Sequence, residues 1–463
     1  MARDPSRPLV LSPRRTATAG EVDALARAAG ARLTERAAAL PEGALVGLAA
    51  ANGPGFLASL LALRRAGLAA LLFDPQTPAA ERQRTARALG ARALLDCRTG
   101  WPAGADDWTL AEVADPAPAP AELPGIAVVK LTSGSTGAPR GIATPAAALV
   151  ADDAALAATM GIGPDDRLLA AIPLSHSYGL SSLALPALMR GTPLVLADAG
   201  DPFGPFAAAA AAGATVFPTV PAYLSALLAV SQPPAWPRSL RLVVSAGAPL
   251  PPATAARFRA TFGLPVHVFY GASECGGICY DREGGAGERG TVGAPVDGVR
   301  VELAPLDENG GAAGRGVVRV ESAAVAAGYL PEPDPRLGGG RFTTGDLAAW
   351  DGGELRLLGR VDDLINIKGK KVDPREVEGV LALLAGVDEV AVVGLPLAGA
   401  EPVLRAVVAC RAGLAAEEVL AWCRAHLAPH KVPRSLVLVP ALPRTERGKL
   451  DRAALLAPEG ALR

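Results

Sequence analysis

The sequence predicts an α/β protein with a large N-terminal domain, a small β subdomain and a small C-terminal α+β domain. Three observations lead to this prediction. Strand-like and helical segments alternate through most of the chain, which is typical of parallel-rich sheets covered by helices. After about residue 290 the pattern changes to short alternating strands separated by Gly turns. From Arg360 onward, two helices and two strands form a separate compact unit.

The large domain contains strands and helices in regular succession. Residues 21–40 have the periodicity of an amphipathic helix, and ALVGLAAA after it has the composition of a buried strand. The stretch from Pro54 to Arg65 is again helical, and LAALLFD is the next strand. Later strands are TPLVLAD, ATVFPTV, LRLVVSAG and PVHVFYG, each followed by turn residues. Ligands of such folds bind where loops leave the carboxyl ends of strands.

The second half of the chain contains the two smaller units. TVGAPVDGVRVELAP and GVVRVESA predict the strands of the β subdomain. The C-terminal unit contains the helices PREVEGVLALL and AAEEVLAWCRAHL and the strands VDEVAVVGLP and RAVVAC. We therefore expect a domain boundary between residues 359 and 360, which gives domains of residues 1–359 and 360–463. Half of the 463 residues are hydrophobic, which is enough for two or three packed units.

Charge and cysteine content exclude several classes of protein. Lys and Arg together number 45 against 46 Asp and Glu, a balance that argues against a general nucleic-acid or membrane-surface binder. The five cysteines have no zinc-site spacing and indicate free thiols in a reducing compartment. The apolar residues 55–74 are interrupted by Arg64 and Arg65, so we expect no membrane span. The first residues lack the pattern of a signal peptide, and the prediction is a soluble, cytoplasmic protein.

The segment LTSGSTGAPRG (131–141) follows the strand-like run GIAVVKL and predicts a phosphate-binding loop. Backbone N–H groups and the hydroxyls of Ser133, Ser135 and Thr136 can surround phosphate oxygens, and Arg140 adds positive charge. The pattern GxxxxGK[ST] is not matched, so a mononucleotide kinase or GTPase is disfavoured. Taken alone, the segment is also compatible with a plain flexible turn.

A series of segments, in the right order, resembles the motifs of the adenylate-forming superfamily, which contains acyl-CoA ligases, carrier-loading adenylation domains and luciferases. These segments are LTSGSTGAPRG (131–141), IPLSHSYGL (172–180), VSAGAPL (244–250), YGASECGG (270–277), TTGDLA (343–348), GRVDDLINIKGKKVDPREVE (359–378) and PRTERGKLDR (443–452). The resemblance covers nearly the whole chain and is strongest to acyl- or aryl-CoA ligases.

The resemblance implies a two-step reaction. A carboxylic acid is activated by ATP to an acyl-adenylate with release of pyrophosphate, and the acyl group then passes to a thiol. The implied cofactors are ATP, Mg²⁺ and CoA, or the phosphopantetheine of a carrier protein in place of CoA. Because the two steps need two arrangements of the small domain, the C-terminal domain is expected to be mobile, with Asp362 at the hinge.

Three residues take catalytic roles through the resemblance. Lys449 would bridge the acyl carboxylate and the α-phosphate, a role that suits a point charge on a flexible stem. Glu274 would bind Mg²⁺ and is the predicted metal ligand, and His176 would gate the acyl pocket. The competing interpretations are a solvated terminal lysine, an exposed loop acid and a core histidine.

The resemblance also assigns nucleotide-binding residues. Tyr270 would stack on adenine, Ser273 would bind the α-phosphate, and Asp346 with Arg360 would bind the ribose. The full set expected to bind ATP or CoA is Thr132, Ser133, Gly134, Ser135, Thr136, Gly137, Arg140, Gly247, Ala248, Pro249, Tyr270, Gly271, Ala272, Ser273, Asp346, Arg360, Lys368 and Gly369. The competing interpretations are a core aromatic for Tyr270, a backbone cap for Asp346 and a basic surface turn for Lys368.

Two departures from the family pattern bear on the substrate. Arg140 stands where the phosphate loop commonly has Lys, so the handling of pyrophosphate is expected to differ. No Asp follows His176 to hold an α-ammonium group, so the predicted partner is a small carboxylic acid without an α-amino group. Three functions remain open: an acyl- or aryl-CoA ligase, a stand-alone enzyme that loads a carrier protein, and a catalytically silent nucleotide-binding scaffold.

Overall fold

The structure is a computed structural model, and it describes most of the chain. The described residues are 4–37, 40–97, 99–118, 125–132, 140–197, 201, 203–305, 314–361, 365–367, 370–372, 374–397, 400–410, 414–427, 429–444 and 450–461.

The first 160 residues alternate strands and helices as the sequence predicts. The strands are β1 (Pro8–Leu11), β2 (Thr16–Thr18), β3 (Leu45–Ala50), β4 (Ala69–Phe73), β5 (Ala93–Cys97), β6 (Trp108–Glu112), β7 (Ile126–Thr132) and β8 (Arg140–Pro145). The helices are α1 (Ala19–Ala37), α2 (Pro54–Arg65), α3 (Ala79–Ala88) and α4 (Ala146–Met160). Every residue of β3 and β4 is buried, as expected for parallel strands covered on both faces.

Residues 161–295 continue the α/β pattern. The strands are β9 (Leu168–Leu169), β10 (Leu194–Val195), β11 (Val216–Thr219), β12 (Leu242–Ser245), β13 (His267–Ala272), β14 (Gly276–Tyr280) and β15 (Ala294–Pro295). The helices are α5 (Ser177–Gly179), α6 (Leu185–Arg190), α7 (Gly204–Ala212), α8 (Pro221–Ala229), α9 (Pro252–Phe262) and α10 (Ala286–Arg289). The run TPLVLAD forms a regular strand only at Leu194–Val195, although its neighbours are buried too.

The remaining elements form the β subdomain and the C-terminal α+β unit. The β-rich part contains β16 (Arg300–Ala304), β17 (Arg315–Glu321), β18 (Gly328–Leu330), β19 (Leu337–Gly338), β20 (Arg341–Asp351) and β21 (Glu354–Arg360). The last part contains β22 (Ile365–Ile367), β23 (Lys370–Val372), α11 (Pro374–Leu381), β24 (Val387–Leu397), β25 (Ala400–Cys410), α12 (Ala416–His426) and β26 (Ser435–Val439). The α/β fold class predicted from the sequence is confirmed.

Two large sheets enclose the main apolar core. The seven-stranded sheet has the order β18-β8-β7-β4-β3-β5-β6, with β7, β4, β3 and β5 parallel. The nine-stranded sheet has the order β15-β14-β13-β12-β11-β9-β10-β1-β2, and its strands from β13 to β1 are parallel. One apolar cluster includes Leu48 and Val128 from the first sheet and Leu168 and Val244 from the second. This core fixes the carboxyl ends of both sheets, where the candidate site lies.

The chain divides into two compact units. The first comprises residues 1–314, 318–344 and 349–356, and the second comprises residues 315–317, 345–348 and 357–463. A third sheet has the order β16-β17-β20-β19, with β21 paired to β20. In the second unit, the sheet β24-β25-β26 has apolar clusters that include Val377 of α11 and Val419 of α12. Among the described helices, none has both the length and the apolar character needed to cross a bilayer.

Candidate active site

The candidate site begins where β12 and β13 end, at the carboxyl edge of the nine-stranded sheet. These two strands are parallel, so the segments that follow them leave the sheet at the same edge. After β12, Gly247, Ala248 and Pro249 are exposed, and Gly247 adopts a φ of +83°. Residues 273–275 follow β13, and we name them the acidic turn because Glu274 lies at their centre. The structure therefore brings two of the predicted nucleotide-binding segments to one edge.

The acidic turn joins β13 to β14 and is closely packed. Gly276, which follows it, has a φ of +69°, and a Cβ there would lie 2.2 Å from Oδ1 of Asp152. At Gly271 a Cβ would lie 2.7 Å from the carbonyl oxygen of Gly276. Glycine is required at both positions, since a side chain would collide with a carboxylate or with backbone. Tyr270 is only 9% exposed, a burial that the competing interpretation as a core aromatic also explains.

Glu274 is half-buried and is held by a residue that the sequence did not indicate. Its Oε1 accepts a hydrogen bond of 2.8 Å from the hydroxyl of Tyr329, and its carbonyl oxygen accepts one of 2.8 Å from the N–H of Ala326. Burial and the neighbouring carboxylate raise the pKa of Tyr329 above its usual range. The phenol therefore keeps its proton and donates a hydrogen bond to Glu274, which orients the carboxylate.

Arg140 lies on the same tyrosine. Its guanidinium carbon is 4.1 Å from the centroid of the Tyr329 ring, a cation–π contact, and its Nη2 is 3.4 Å from Oδ2 of Asp334. Hydrogen bonds from Arg336 hold the pKa of Asp334 well below its usual range, so this carboxylate stays charged. The fork of Arg140 is thus engaged by a ring and a carboxylate, an arrangement that a lysine point charge would not reproduce.

The two ends of the predicted phosphate loop are held together by the seven-stranded sheet. Thr132 ends β7, Arg140 begins β8, and the two residues pair across the antiparallel ladder. The intervening residues lie outside the described part of the chain, and they include the predicted Ser133, Gly134, Ser135, Thr136 and Gly137. Their roles stay predictions.

The segment that contains His176 contacts the acidic turn. The Oγ of Ser177 is 2.7 Å from the Oγ of Ser273, so the hydroxyl expected to bind the α-phosphate also bonds the neighbouring loop. Nε2 of His176 is 3.1 Å from Oδ2 of Asp74, which follows β4. The His176 side chain is 56% exposed, which disagrees with a core histidine and is compatible with a residue at a pocket entrance.

Tyr178, two residues after His176, is partly buried and points toward the nine-stranded sheet. Its hydroxyl donates a 2.8 Å hydrogen bond to the carbonyl oxygen of Val244, and its ring packs against Phe269 with centroids 5.8 Å apart. Burial raises the pKa of Tyr178 above its usual range. The ring borders a narrow, largely apolar cavity between α4 and the nine-stranded sheet, lined in part by Leu156, Met160, Ser182, Pro218 and Val244.

The second compact unit contains the predicted ribose-binding pair. Nη1 of Arg360, on β21, is 3.3 Å from Oδ1 of Asp346, on β20. Asp346 is largely buried with 19% of its side chain exposed, whereas the Arg360 side chain is 48% exposed. The predicted catalytic Lys449, the hinge residue Asp362, and Lys368 with Gly369 lie outside the described residues. Their roles stay predictions.

Glu274 suits a magnesium ion better than a metal that needs an all-protein cage. Within the described residues, no group of three or more His, Cys, Asp or Glu side chains is arranged to hold a metal. Mg²⁺ in nucleotide enzymes is commonly bound by one or two carboxylates together with substrate phosphates and water. One oriented carboxylate beside a phosphate-loop boundary fits that donor set.

Several residues of the site were missed by the sequence analysis. Tyr329 and Asp334 come from the β subdomain region and are 55 and 194 residues away from the partners they contact, Glu274 and Arg140. No local pattern marks either residue. Asp74 could have been found, because it directly follows the predicted strand LAALLFD at the edge where ligands bind.

Known proteins match both parts of the chain. Residues 1–330 match the family model described as AMP-binding enzyme, and residues 376–449 match the AMP-binding enzyme C-terminal domain. The sequence is similar to that of feruloyl-CoA synthase from Amycolatopsis sp, with 32% identity over 402 residues that cover 84% of this chain and 79% of the relative.

Solved structures show the same fold. Amide bond synthetase McbA from Marinactinospora thermotolerans aligns with a TM-score of 0.78 and 29% identity, over 97% of this chain and 96% of the neighbour. ATP-bound MatB from Rhodopseudomonas palustris aligns with a TM-score of 0.82 and 24% identity, over 98% and 96% of the two chains. At that identity the second likeness concerns the fold alone.

Proposed function

The chain belongs to the AMP-binding enzyme family, and from that premise we propose that it activates a carboxylic acid with ATP and transfers the acyl group to CoA. Relatives named as CoA ligases, among them the feruloyl-CoA synthase, support this reaction. The observation that carries the proposal is the oriented carboxylate of Glu274, held by Tyr329 beside Arg140 at the boundary of the phosphate loop.

The first step joins two anions. A carboxylate oxygen attacks the α-phosphorus of ATP, the bond to the bridging oxygen breaks, and pyrophosphate leaves. Positive charge at the phosphates is therefore the main requirement. Mg²⁺, when bound by Glu274 and the phosphates, would neutralise charge on the triphosphate. Arg140, held by Tyr329 and Asp334, adds positive charge at the loop boundary, and Lys449 would supply charge between the acid and the α-phosphate.

We assign nucleotide-binding roles to residues of each unit separately. Thr132, the loop residues 133–137 and the hydroxyl of Ser273 bind phosphates, while residues 247–249 and Tyr270 border the adenine. Asp346 accepts hydrogen bonds from the ribose hydroxyls, and Arg360 orients Asp346. The existing bond between Arg360 and Asp346 supports this last assignment, because it holds the carboxylate in one place.

The second step transfers the acyl group from AMP to the thiol of CoA. The CoA thiolate attacks the acyl carbonyl, the bond from that carbon to the phosphate oxygen breaks, and AMP leaves. Lys449 has to withdraw before the thiol arrives, which is the reason to propose rotation about Asp362. Lys368 and Gly369 then border the phosphopantetheine arm, where a residue without a side chain leaves room for it.

The acid would lack an α-ammonium group. No Asp follows His176 to bind such a group, and the hydroxyl of Tyr178 donates its hydrogen bond to the carbonyl oxygen of Val244. The segments ATVFPTVPA and VSAGAPL contain mostly small residues, which favours an aryl or medium aliphatic acid. ATP and CoA are cytosolic substrates, and we propose a cytoplasmic location.

The test is pyrophosphate release with ATP and Mg²⁺ across a panel of carboxylic acids, with and without CoA. Release that depends on one acid, with CoA-dependent turnover and a thioester product, is the expected result. Acyl transfer only to a pantetheinylated carrier protein, or only to an amine, would replace CoA by that acceptor. No release with any acid, despite ATP binding, would favour the silent scaffold and contradict the proposal.

A further inference from the structure

Lys130 is a buried cation that the proposed reaction does not use. It lies on β7, a central strand paired with both β4 and β8, two residues before the end of that strand. Only 6% of its surface is exposed. Neighbouring side chains along a strand point to opposite faces, and Val128 packs into the core between the two large sheets while Val129 packs on the other face. The Lys130 side chain therefore points into the space between the sheets.

The composition of the chain makes this lysine unusual. Lys and Arg together number 45, yet Lys130 is the only lysine among residues 1–367. Elsewhere in the first unit the basic side chains are arginines. Lysine is rarely buried without a partner, because removing its charge from water is costly. A compact ammonium and an arginine fork are not interchangeable at a buried site, so this lysine is a candidate for a specific role.

Asp152, on α4, supplies the opposite charge. It is 5% exposed, its Oδ1 accepts a 3.0 Å hydrogen bond from the N–H of Gly277, and its Oδ2 accepts one of 2.7 Å from the hydroxyl of Ser181. Burial lowers the pKa of Lys130, and the carboxylates of Asp152 and Glu274 act against that change. The backbone geometry agrees, because Lys130 points into the space between the sheets, where Asp152 contacts the acidic turn.

The Asp152 carboxylate rests directly against the acidic turn. Its hydrogen bond to Gly277 fixes the backbone three residues after Glu274, and Gly276 between them has no room for a Cβ. Tyr329 and Ala326 hold Glu274 by other contacts, through its carboxylate and its carbonyl oxygen. Removal of either set of contacts would leave the carboxylate less well oriented.

We propose that the buried charges of Lys130 and Asp152 together position Glu274 for Mg²⁺-bound ATP. Asp152 fixes the backbone of the acidic turn, and Lys130 attracts the Glu274 carboxylate while it compensates Asp152. Both are positioning residues, since they act through Glu274. The inference rests on the proposed role of Glu274 as the metal ligand.

The experiment compares ATP affinity with Mg²⁺ and with EDTA, by calorimetry, in Lys130→Met and Asp152→Asn. Outer partners of metal ligands typically change metal affinity by about 10-fold to 100-fold. We expect Lys130→Met to weaken ATP binding in Mg²⁺ at least ~10-fold, while binding in EDTA changes by less than ~2-fold. The Mg²⁺ dependence of pyrophosphate release should shift in the same direction. Equal affinity of Lys130→Met and the wild type in Mg²⁺ would overturn the inference.

Asp153→Asn is the matched control. Asp153 follows Asp152 on α4, is 4% exposed and pairs with Arg190 instead, with Nε 3.1 Å from Oδ2. Asp153→Asn should lower the denaturant midpoint, because it breaks a buried ion pair, and should leave the Mg²⁺-dependent ATP affinity unchanged. If it weakened this affinity as much as Lys130→Met does, the effect would be general destabilisation and the proposal would fail.

The double variant Lys130→Met/Asp152→Asn separates charge from packing. Removing both charges should recover part of the denaturant midpoint lost in Lys130→Met, because no buried charge is left unpaired. Its Mg²⁺-dependent ATP affinity should stay low. Recovery of that affinity would mean that packing alone positions Glu274. Absence of ATP binding by the wild type in Mg²⁺ would contradict the proposed function itself.

Discussion

The acidic turn of the first unit and the Asp346–Arg360 pair of the second unit hold their carboxylates in different ways. The Glu274 carboxylate accepts a hydrogen bond from the hydroxyl of Tyr329, and its carbonyl oxygen accepts one from the N–H of Ala326. The hydroxyl of the neighbouring Ser273 is hydrogen-bonded to the hydroxyl of Ser177. Asp346 and Arg360 are joined by an ion pair of 3.3 Å, with the arginine half exposed. The hydrogen bonds to Glu274 are shorter than this contact, and they reach both its carboxylate and its backbone.

The difference teaches which part of the site is preorganised. Groups that stabilise developing charge work best when they are fixed before the reaction. The acidic turn meets this condition, and we expect it to keep its geometry in both half-reactions. Arg360 is half exposed, and an ion pair with an exposed partner is weakened by solvent and more easily exchanged for another contact. The second unit would then supply contacts that form with the nucleotide and are released between the steps.

The largest expected effect comes from the second unit. Lys449→Ala should lower the rate of acyl-adenylate formation by about 10³-fold, because a charge aimed at the reacting phosphate is lost. Thioester formation from supplied acyl-adenylate should fall much less. Single-turnover assays of both half-reactions measure this. Lys431→Ala, which removes a surface ion pair with Glu376 in the same unit, serves as control. Equal losses in both half-reactions would remove the distinction between the two steps.

The next effect tests the preorganised carboxylate. Glu274→Gln should lower kcat/KM for Mg²⁺-bound ATP by about 10²-fold, since the amide keeps the shape but loses the charge. Initial rates of pyrophosphate release at varied Mg²⁺ measure it. The matched control is Glu354→Gln, because Glu354 is also half-buried and accepts hydrogen bonds from a hydroxyl and an arginine. A normal Mg²⁺ dependence in Glu274→Gln would exclude this residue as the metal ligand.

A smaller effect is expected at the ribose pair. Asp346→Asn should raise KM for ATP about 10-fold with little change in kcat, because a charged hydrogen-bond acceptor contributes to binding in both states. Asp351→Asn, at the last residue of β20 and paired with Arg356, is the control on the same strand. If Asp346→Asn lowered kcat with KM unchanged, Asp346 would act in the transition state, and the comparison of the two regions would have to be reversed.

The sequence predicted the fold well where periodicity and burial agree. The predicted helix Pro54–Arg65 is α2, and LAALLFD contains β4, because both are buried segments with clear boundaries. The run TPLVLAD contains only a two-residue strand. Its apolar composition reflects burial, and a buried segment is apolar whether or not its backbone pairs with a strand. The helix predicted over 21–40 begins two residues earlier, at Ala19. The boundaries of helices and strands depend on contacts at their ends more than on hydrophobic periodicity.

The candidate site was predictable in part, through motifs that each lie on one segment. Glu274, Ser273 and Arg140 were predicted from such motifs, and their contacts could not be, because Tyr329, Ser177 and Asp334 come from other elements. Contacts between distant segments follow from the packing of sheets, which no local spacing encodes. The sequence marks Lys130 in one way, as the only lysine among residues 1–367, whereas nothing in the sequence distinguishes Asp152.

The smallest expected effect concerns Asp334, the carboxylate that contacts Arg140, and its hydrogen bonds from Arg336. Arg336→Gln removes the hydrogen bonds that hold the pKa of Asp334 low. A depressed carboxyl pKa stabilises the fold above the unfolded pKa of about 4, and this contribution is lost as pH falls toward the folded value. At pH 7 the variant should lose about 1 kcal/mol of unfolding free energy. The difference from the wild type should shrink below about pH 4. Urea titrations across this range measure it, and a difference that stays constant with pH would show that Arg336 acts through packing and not through the charge of Asp334.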